Sequence, residues 1–342
     1  MAEKNATLLG RVWQSISAFF KEKIWQGFCV NILYKKFDRY KGWIYLAPAI
    51  VLLLIFTVWP IFNTVRMAFL EGYTTMKDVR GDTFSFGLGN FTRVLEYKGF
   101  LTALKNTMLL TVLTVPISTF LALLIAVCLN SIKWFSRALQ TIFFLPYVTN
   151  SIAIGMVFAA MFNMIIGGGA RPDFIGVVNI VIEALGGEYI NWMNEGAEYW
   201  AMITVMVVYI VWNALPFKIL ILLGGLQSVN KQYYEAAKVD ATPRWRVFTR
   251  ITIPLLSPML AYVIITGFIG GFKEYSSIVG VFGESMRAPG DPTYTLDTMV
   301  GFIYRAISNQ EGTASAAALI LFVIILVVTM INLYVSKKKT HY

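Results

Sequence analysis

Long apolar runs, each bounded by clusters of charge, dominate the pattern of this 342-residue chain. A helix needs about 20 apolar residues to cross the hydrocarbon core of a bilayer. Six runs reach that length: about Trp43 to Leu70, Thr102 to Asn130, Ala138 to Asn163, Tyr199 to Leu226, Leu256 to Phe282 and Ala314 to Val335. They predict an all-α, polytopic membrane protein with six transmembrane helices. Pro60, Pro116, Pro146 and Pro216 fall inside four of these runs. Each removes a backbone donor and predicts a kink, with neighbouring helices or water satisfying the freed carbonyl.

Composition agrees, with 57% hydrophobic and 14% charged residues, against about 25% charged in a soluble domain. The charges are also sorted by loop. The tail 1–41, the turn with Lys133 and Arg137, the segment 231–250 and the last residues hold 18 Lys and Arg; the alternate loops hold seven. Acidic residues run the other way, five against thirteen. Basic loops stay on the cytoplasmic side, so both termini are expected there, as an even helix count requires. This divides the chain into a basic tail over 1–42, a membrane domain over 43–336 with an inner loop at 231–254, and a short basic tail over 337–342. The net charge of +10 then reads as topology, basic loops facing the anionic lipid bilayer, with no nucleic acid as partner.

The tail is not expected to be a cleavable signal, because 42 residues precede the first run where a signal peptide places its apolar core early. Val12, Ile16, Phe19, Phe20 and Ile24 lie at helical spacing with Lys21 and Lys23 between them, which predicts an amphipathic helix on the inner membrane surface. Cys29 and Cys128 fall in different settings and predict no disulfide, and the single His341 has no metal partners. Gly167-Gly168-Gly169 reads as an external loop.

Chemistry of its own is not expected. No Gly-Lys-Ser or Gly-Lys-Thr occurs, so a phosphate-binding loop cannot be built. A nucleophile–base pair or a metal cluster cannot be assembled from one terminal His and two separated Cys. Neither an enzyme nor a bound cofactor or metal is expected. An ion-coupled transporter would place ionisable residues at mid-membrane. The candidates are Arg66, Lys218, Lys273 and Glu274, and none recurs at matching places in two halves. Lys273 and Glu274 are read as neighbours in the fifth helix, about 100° apart.

The informative stretch is the inner loop between the fourth and fifth runs. It reads Tyr234-Glu235-Ala236-Ala237-Lys238-Val239-Asp240-Ala241, then nine residues, then Ile251-Thr252-Ile253-Pro254. Good helix formers and Thr242-Pro243 predict two short helices, with Pro254 marking the start of the fifth span. Ala236 and Ala237 give a low profile over which another protein's surface can approach.

This pattern resembles the coupling-loop signature of binding-protein-dependent ABC importers: Glu-Ala-Ala, three residues, Gly, nine residues, Ile, any residue, Leu, Pro. Glu235, Ala236, Ala237, Ile251 and Pro254 match at the same spacing. Ile253 stands for Leu, a nearly volume-conserving change. Ala241 stands for Gly, which puts a tight left-handed turn there in question; the alternative is a first helix one residue longer. The resemblance covers most of the chain and points to sugar permeases of the maltose and glycerol-phosphate type, through Trp212, Pro216, Gly224-Gly225-Leu226-Gln227 and Tyr234. Leu88-Gly89-Asn90-Phe91, Asn106-Thr107, Thr293-Tyr294-Thr295-Leu296 and Ile303-Tyr304-Arg305-Ala306 resemble other parts of that branch.

The resemblance implies a type I ABC importer transmembrane domain in a bacterial cell membrane. It implies as partners a second, homologous permease subunit, two cytoplasmic ATPase subunits, an extracellular solute-binding protein and a sugar substrate, with oligosaccharide first and glycerol phosphate or another polyol second. Glu235, Ala236, Ala237, Asp240, Ala241, Ile251 and Pro254 would transmit the motion of the ATPases. In this branch the sugar site lies on the flanking helices. Ile210, Asn213, Ala214 and Phe217 share one face of the fourth, and Gly267, Gly270, Gly271 and Glu274 lie on the fifth. Asn213 bonds either a sugar hydroxyl or a neighbouring helix; Gly267 and Gly271 either make room for substrate or pack helices closely.

Overall fold

Helix breakers set the architecture of the computed structural model, which describes residues 41–132, 136–165, 174–286, 296–308 and 310–339. The surface helix expected around residues 12–24, Cys29, Lys133, Gly167 to Gly169, Thr293 to Thr295 and His341 lie outside those residues.

The first apolar run is helical from its start. α1 (Lys41–Leu53) passes through a π-helical turn, Leu54–Val58, into α2 (Trp59–Phe69). The Trp59 N–H reaches back five residues to the Leu54 carbonyl. In a regular helix the ring of Pro60 would strike the carbonyl four residues earlier; the wider turn accommodates it without ending the helix. The chain divides into two bodies between Arg66 and Met67. The described part of the first body, 41–66, lies on this helix, and an 18-residue stretch within Tyr45–Phe69 has a mean hydropathy of 2.2.

The second body begins in the last turn of α2, at Met67. Asn90 Nδ2 donates to the carbonyls of Ala68 (3.1 Å) and Leu70 (2.7 Å), satisfying acceptors that the helix end leaves over. There follow α3 (Thr75–Val79), α4 (Gly89–Glu96), α5 (Lys98–Ser131), α6 (Ser136–Val148) and α7 (Ser151–Phe162). Two short strands, β1 (Met164–Ile165) and β2 (Phe174–Ile175), pair antiparallel with Met164 opposite Ile175. Next come α8 (Val177–Ala184), α9 (Tyr199–Ser228), α10 (Lys231–Val239), α11 (Arg244–Val247), α12 (Ile253–Phe272), α13 (Ser276–Phe282), α14 (Met299–Ile307) and α15 (Glu311–Lys339).

Among the described residues five helical stretches are long and apolar enough to cross a membrane: Tyr45–Phe69, Lys98–Ser131, Tyr199–Ser228, Arg244–Phe272 and Glu311–Lys338. A sixth results if the pair Ala138–Val148 and Ser151–Phe162, bent by 98°, counts as one span. The third run was expected as one helix; it is two. Pro146 weakens the ladder at the end of α6, and Asn150 starts α7 afresh, its Oδ1 accepting from the N–H groups of Ile152 (2.9 Å) and Ala153 (3.4 Å).

The fifth run departs further from expectation. Its helix begins at Arg244 and runs through a second π-helical turn, Phe248–Thr252, where the Ile253 N–H reaches the Phe248 carbonyl just ahead of Pro254. The second short helix expected in the inner loop is therefore the first part of this long one, and Pro254 lies inside it. The helix stops at Phe272 after Gly270 and Gly271, and Tyr275 (φ −148°, ψ −53°) starts α13. Lys273 and Glu274 occupy that break, so they are not neighbours on one helix face.

The core lies where α5 crosses α9, α12 and α14. A stripe of small residues on α5, Ala103, Thr107, Thr111, Ser118, Ala122 and Ala126, is buried and lets backbones approach. The hydroxyls of Thr107 and Thr111 bond the carbonyls one turn back, at 2.8 and 2.7 Å, which disposes of polar groups an apolar setting would penalise. Tyr209, Met202, Met206 and Leu110 fill the largest cluster with Ile278 and Leu296. Gly155 of α7 meets Gly280 of α13 backbone to backbone: a Cβ on Gly155 would lie 2.7 Å from the Gly280 Cα.

Candidate functional site

The 231–254 segment is built from its caps inward. Asn230 starts α10, its Oδ1 accepting from the Gln232 N–H at 3.0 Å. The helix ends at Asp240, and Ala241 takes the left-handed conformation, φ +48°. The Thr242 N–H bonds the Ala237 carbonyl (2.9 Å) and the Ala241 N–H bonds that of Lys238 (3.1 Å). This is the paired closure of a Schellman turn. The turn placed in question by the missing glycine is thus present, and the one-residue extension of the helix is not. Alanine holds a conformation that costs an L-residue roughly 1–2 kcal/mol.

The segment divides into an inner and an outer face. Ala237 is buried within the chain, and the Tyr234 hydroxyl lies 3.3 Å from the Thr252 hydroxyl, tying α10 to the base of the fifth helix. Glu235, Ala236, Val239 and Asp240 are exposed. Only one of the two alanines expected to meet a partner therefore faces outward; Ala237 packs α10 against its own chain. Among the described residues neither Glu235 nor Asp240 is paired with a basic side chain. Ile251 and Pro254 are half-buried in the helix behind.

The second candidate set is only partly brought together. On α9, Ile210 is buried while Asn213, Ala214 and Phe217 are half-buried. Asn213 Nδ2 donates to Ser151 Oγ at 3.4 Å, and that hydroxyl lies 3.0 Å from the Tyr209 hydroxyl. Of the two expected roles for Asn213, the helix-to-helix bond is present. Phe217 stacks on Tyr147 of α6, centroids 5.8 Å apart and planes at 19°. Sequence reasoning missed Tyr147 and Ser151, because nothing in the third run distinguishes them until the bend turns them towards α9.

The glycines separate by role. A Cβ on Gly267 would lie 3.2 Å from Val115 Cγ1, and one on Gly271 2.8 Å from Thr111 Cγ2, so both are packing sites against α5. A Cβ on Gly270 would meet nothing within 4 Å; it alone borders open space. Glu274 is spent on structure: its Oε1 accepts from the Ser277 N–H at 3.2 Å, and its carbonyl accepts from the Thr298 hydroxyl at 2.9 Å. Lys218 is buried, its Nζ donating to Ser118 Oγ (2.7 Å), Thr119 Oγ1 (3.0 Å) and the Val115 carbonyl (3.3 Å) beside Pro116. That ammonium ties α9 to α5.

Comparison with known proteins places the whole arrangement. The family described as binding-protein-dependent transport system inner membrane component matches residues 87–341. The lactose transport system permease protein LacF of Rhizobium radiobacter is 31% identical over 302 residues, 87% of this chain and 93% of its own length. The arabinooligosaccharides transport system permease protein AraP of Bacillus subtilis (strain 168) is 31% identical over 297 residues, 86% of this chain and 88% of its own. The crystal structure of a bacterial ABC transporter involved in the import of the acidic polysaccharide alginate shares the fold, with a TM-score of 0.72, 23% identity, and coverage of 90% of this chain and 99% of that one. The α-helical fold, its apolar spans and the match over three quarters of its length lead to one assignment: this chain belongs to the inner membrane components of binding-protein-dependent transport systems, and is a permease subunit of an ABC importer rather than an enzyme.

Proposed function

We propose that the chain forms half of the path by which a sugar, foremost an oligosaccharide, enters a bacterial cell, driven by a separate ATPase that grips the 231–254 segment. One observation carries this: α10 is clamped to its own chain by Ala237 and by Tyr234–Thr252, yet presents Glu235, Ala236 and Asp240 outward and unpaired. A short helix held so firmly on one side, with carboxylates free on the other, fits a basic groove on a partner. Relatives named for lactose, arabinooligosaccharides and, at 28% identity, sn-glycerol-3-phosphate support the sugar reading, in which a polyol phosphate comes second.

In this reading the region 43–336 spans the bilayer, with the tails 1–42 and 337–342 and the 231–254 segment on the cytoplasmic side. A homologous permease completes the path, two ATPases bind beneath it, and a solute-binding protein delivers sugar from outside. Glu235, Ala236, Asp240 and Ala241 meet the ATPase; Ala237, Ile251 and Pro254 transmit its motion inward. Reversing the charge with Glu235→Lys tests this. The complex is expected to lose co-purifying ATPase and at least tenfold of its sugar uptake, as loss of an interfacial charge pair implies (about 2–5 kcal/mol). The exposed site leaves the permease folded by size-exclusion chromatography. Undiminished attachment and uptake would overturn the reading.

A further inference from the structure

α9 packs on α5, α12 and α6, but one stripe stays open: Asn213, Phe217, Leu220, Gly224 and Gln227, at intervals of four, three, four and three residues. That spacing keeps them on one face. α6 offers the facing wall, with Gln140, Phe143, Phe144 and Tyr147 at matching intervals. Between the two helices lies a cleft of about 260 Å³ whose walls include Gln140, Phe143, Phe144, Leu220, Gly224 and Gln227, close to the lower limit of about 300 Å³ for ligand pockets. A Cβ on Gly224 would meet no atom within 4 Å, so the cleft reaches the α9 backbone. One turn further along both helices Tyr147 stacks on Phe217, and beyond that stack lies the Asn213–Ser151 pair.

The lining chemistry is selective. Two primary amides stand on opposite walls among phenyl rings, and among the described residues no charged side chain lines the cleft. Amides both donate to and accept from hydroxyls, while aromatic faces take the apolar C–H face of a pyranose or furanose ring. A surface turned to lipid would not carry two amides. We propose that this cleft is a second sugar subsite, placed between the Tyr147–Phe217 stack and the 231–254 segment, which holds the sugar after it has passed Asn213. It rests on the sugar-permease reading and deepens it. From Asn213 to Gln227 is roughly 21 Å along the helix, so a single ring occupies one subsite at a time and the stack stands between them.

The test uses the complete complex, with its partner permease and ATPases, in lipid nanodiscs without nucleotide. Cys29→Ser and Cys128→Ser remove the native thiols, and Gly224→Cys introduces one in the cleft; Gln227→Cys is the second position should Gly224→Cys fail to assemble. Labelling by an impermeant maleimide is timed with and without lactose or arabinotriose, and import of both sugars is measured on the same preparation. The thiol is expected to react, and the imported sugar to slow that reaction about fivefold, the scale of one or two hydrogen bonds. Adding Gln140→Leu or Gln227→Leu should abolish the slowing. A thiol that does not react, or one that an imported sugar leaves equally reactive, overturns the subsite while the permease reading stands. If the complex imports neither sugar and neither stimulates its ATPase, the sugar reading falls and the subsite with it.

Discussion

At Ala241 the backbone sits at φ +48°, and the surrounding hydrogen bonds from Thr242 and Ala241 hold it there. The conformation belongs to glycine, so Ala241→Gly should relieve about 1 kcal/mol of strain. The expected outcome is a rise of roughly 2 °C in the thermal midpoint of the detergent-purified permease; an unchanged or lower midpoint would show that the turn imposes no cost on alanine. The position was legible from the motif, because nine residues separate it from Ile251, but its conformation was not. A one-letter code states which backbone is easy, and tertiary contacts decide which is used. Asn213 and Lys218 teach the same lesson. Both were visible as polar groups in an apolar run, whereas their partners, Ser151, Ser118 and Thr119, lie 62 to 100 residues away in sequence. No local pattern encodes such a pairing.

Helix lengths were read well where a run carried no break, as in α5, α9 and α15. They were misread where a cap or a glycine pair outweighed hydrophobicity. Asn150 divides the third run, and Gly270-Gly271 with Tyr275 divide the fifth; both breaks rest on residues that an apolar window averages away. The bent halves are then joined by the crossing of α7 and α13, where Gly155 and Gly280 leave no room for a side chain. Gly155→Val should cost about 1–3 kcal/mol through overpacking, seen as a lower thermal midpoint and a smaller folded fraction by fluorescence-detected size-exclusion chromatography. Full stability in that variant would mean the two helices can separate freely. Both π-helical turns precede a proline by two residues, at Pro60 and Pro254. The prolines were legible as perturbations; the wide turn ahead of each was not.

For the molecule as a whole, the sidedness proposed above rests on the sorting of 18 basic residues to one set of loops and thirteen acidic residues to the other. A thiol introduced by Val239→Cys should react with impermeant maleimide only in inside-out vesicles, and one from Glu188→Cys only in right-side-out cells, each in a background without native cysteines. Both positions are exposed, so a reversed result would invert the topology outright. Translocation acts on loop charge directly, so this proposal needs the sequence alone and not the packed structure.

The unbroken run from Arg244 to Phe272 has a mechanical meaning for such a molecule. A helix of 29 residues is a rod about 43 Å long, and its foot is pinned to α10 by Tyr234 and Thr252 while its tip ends at the Lys273–Tyr275 break. A tilt of a few degrees imposed at the foot would swing the tip by several ångströms, past the open side of Gly270. The π-helical turn at Phe248–Thr252 ends at the residue that Tyr234 holds, so the pin lies where the rod changes its winding.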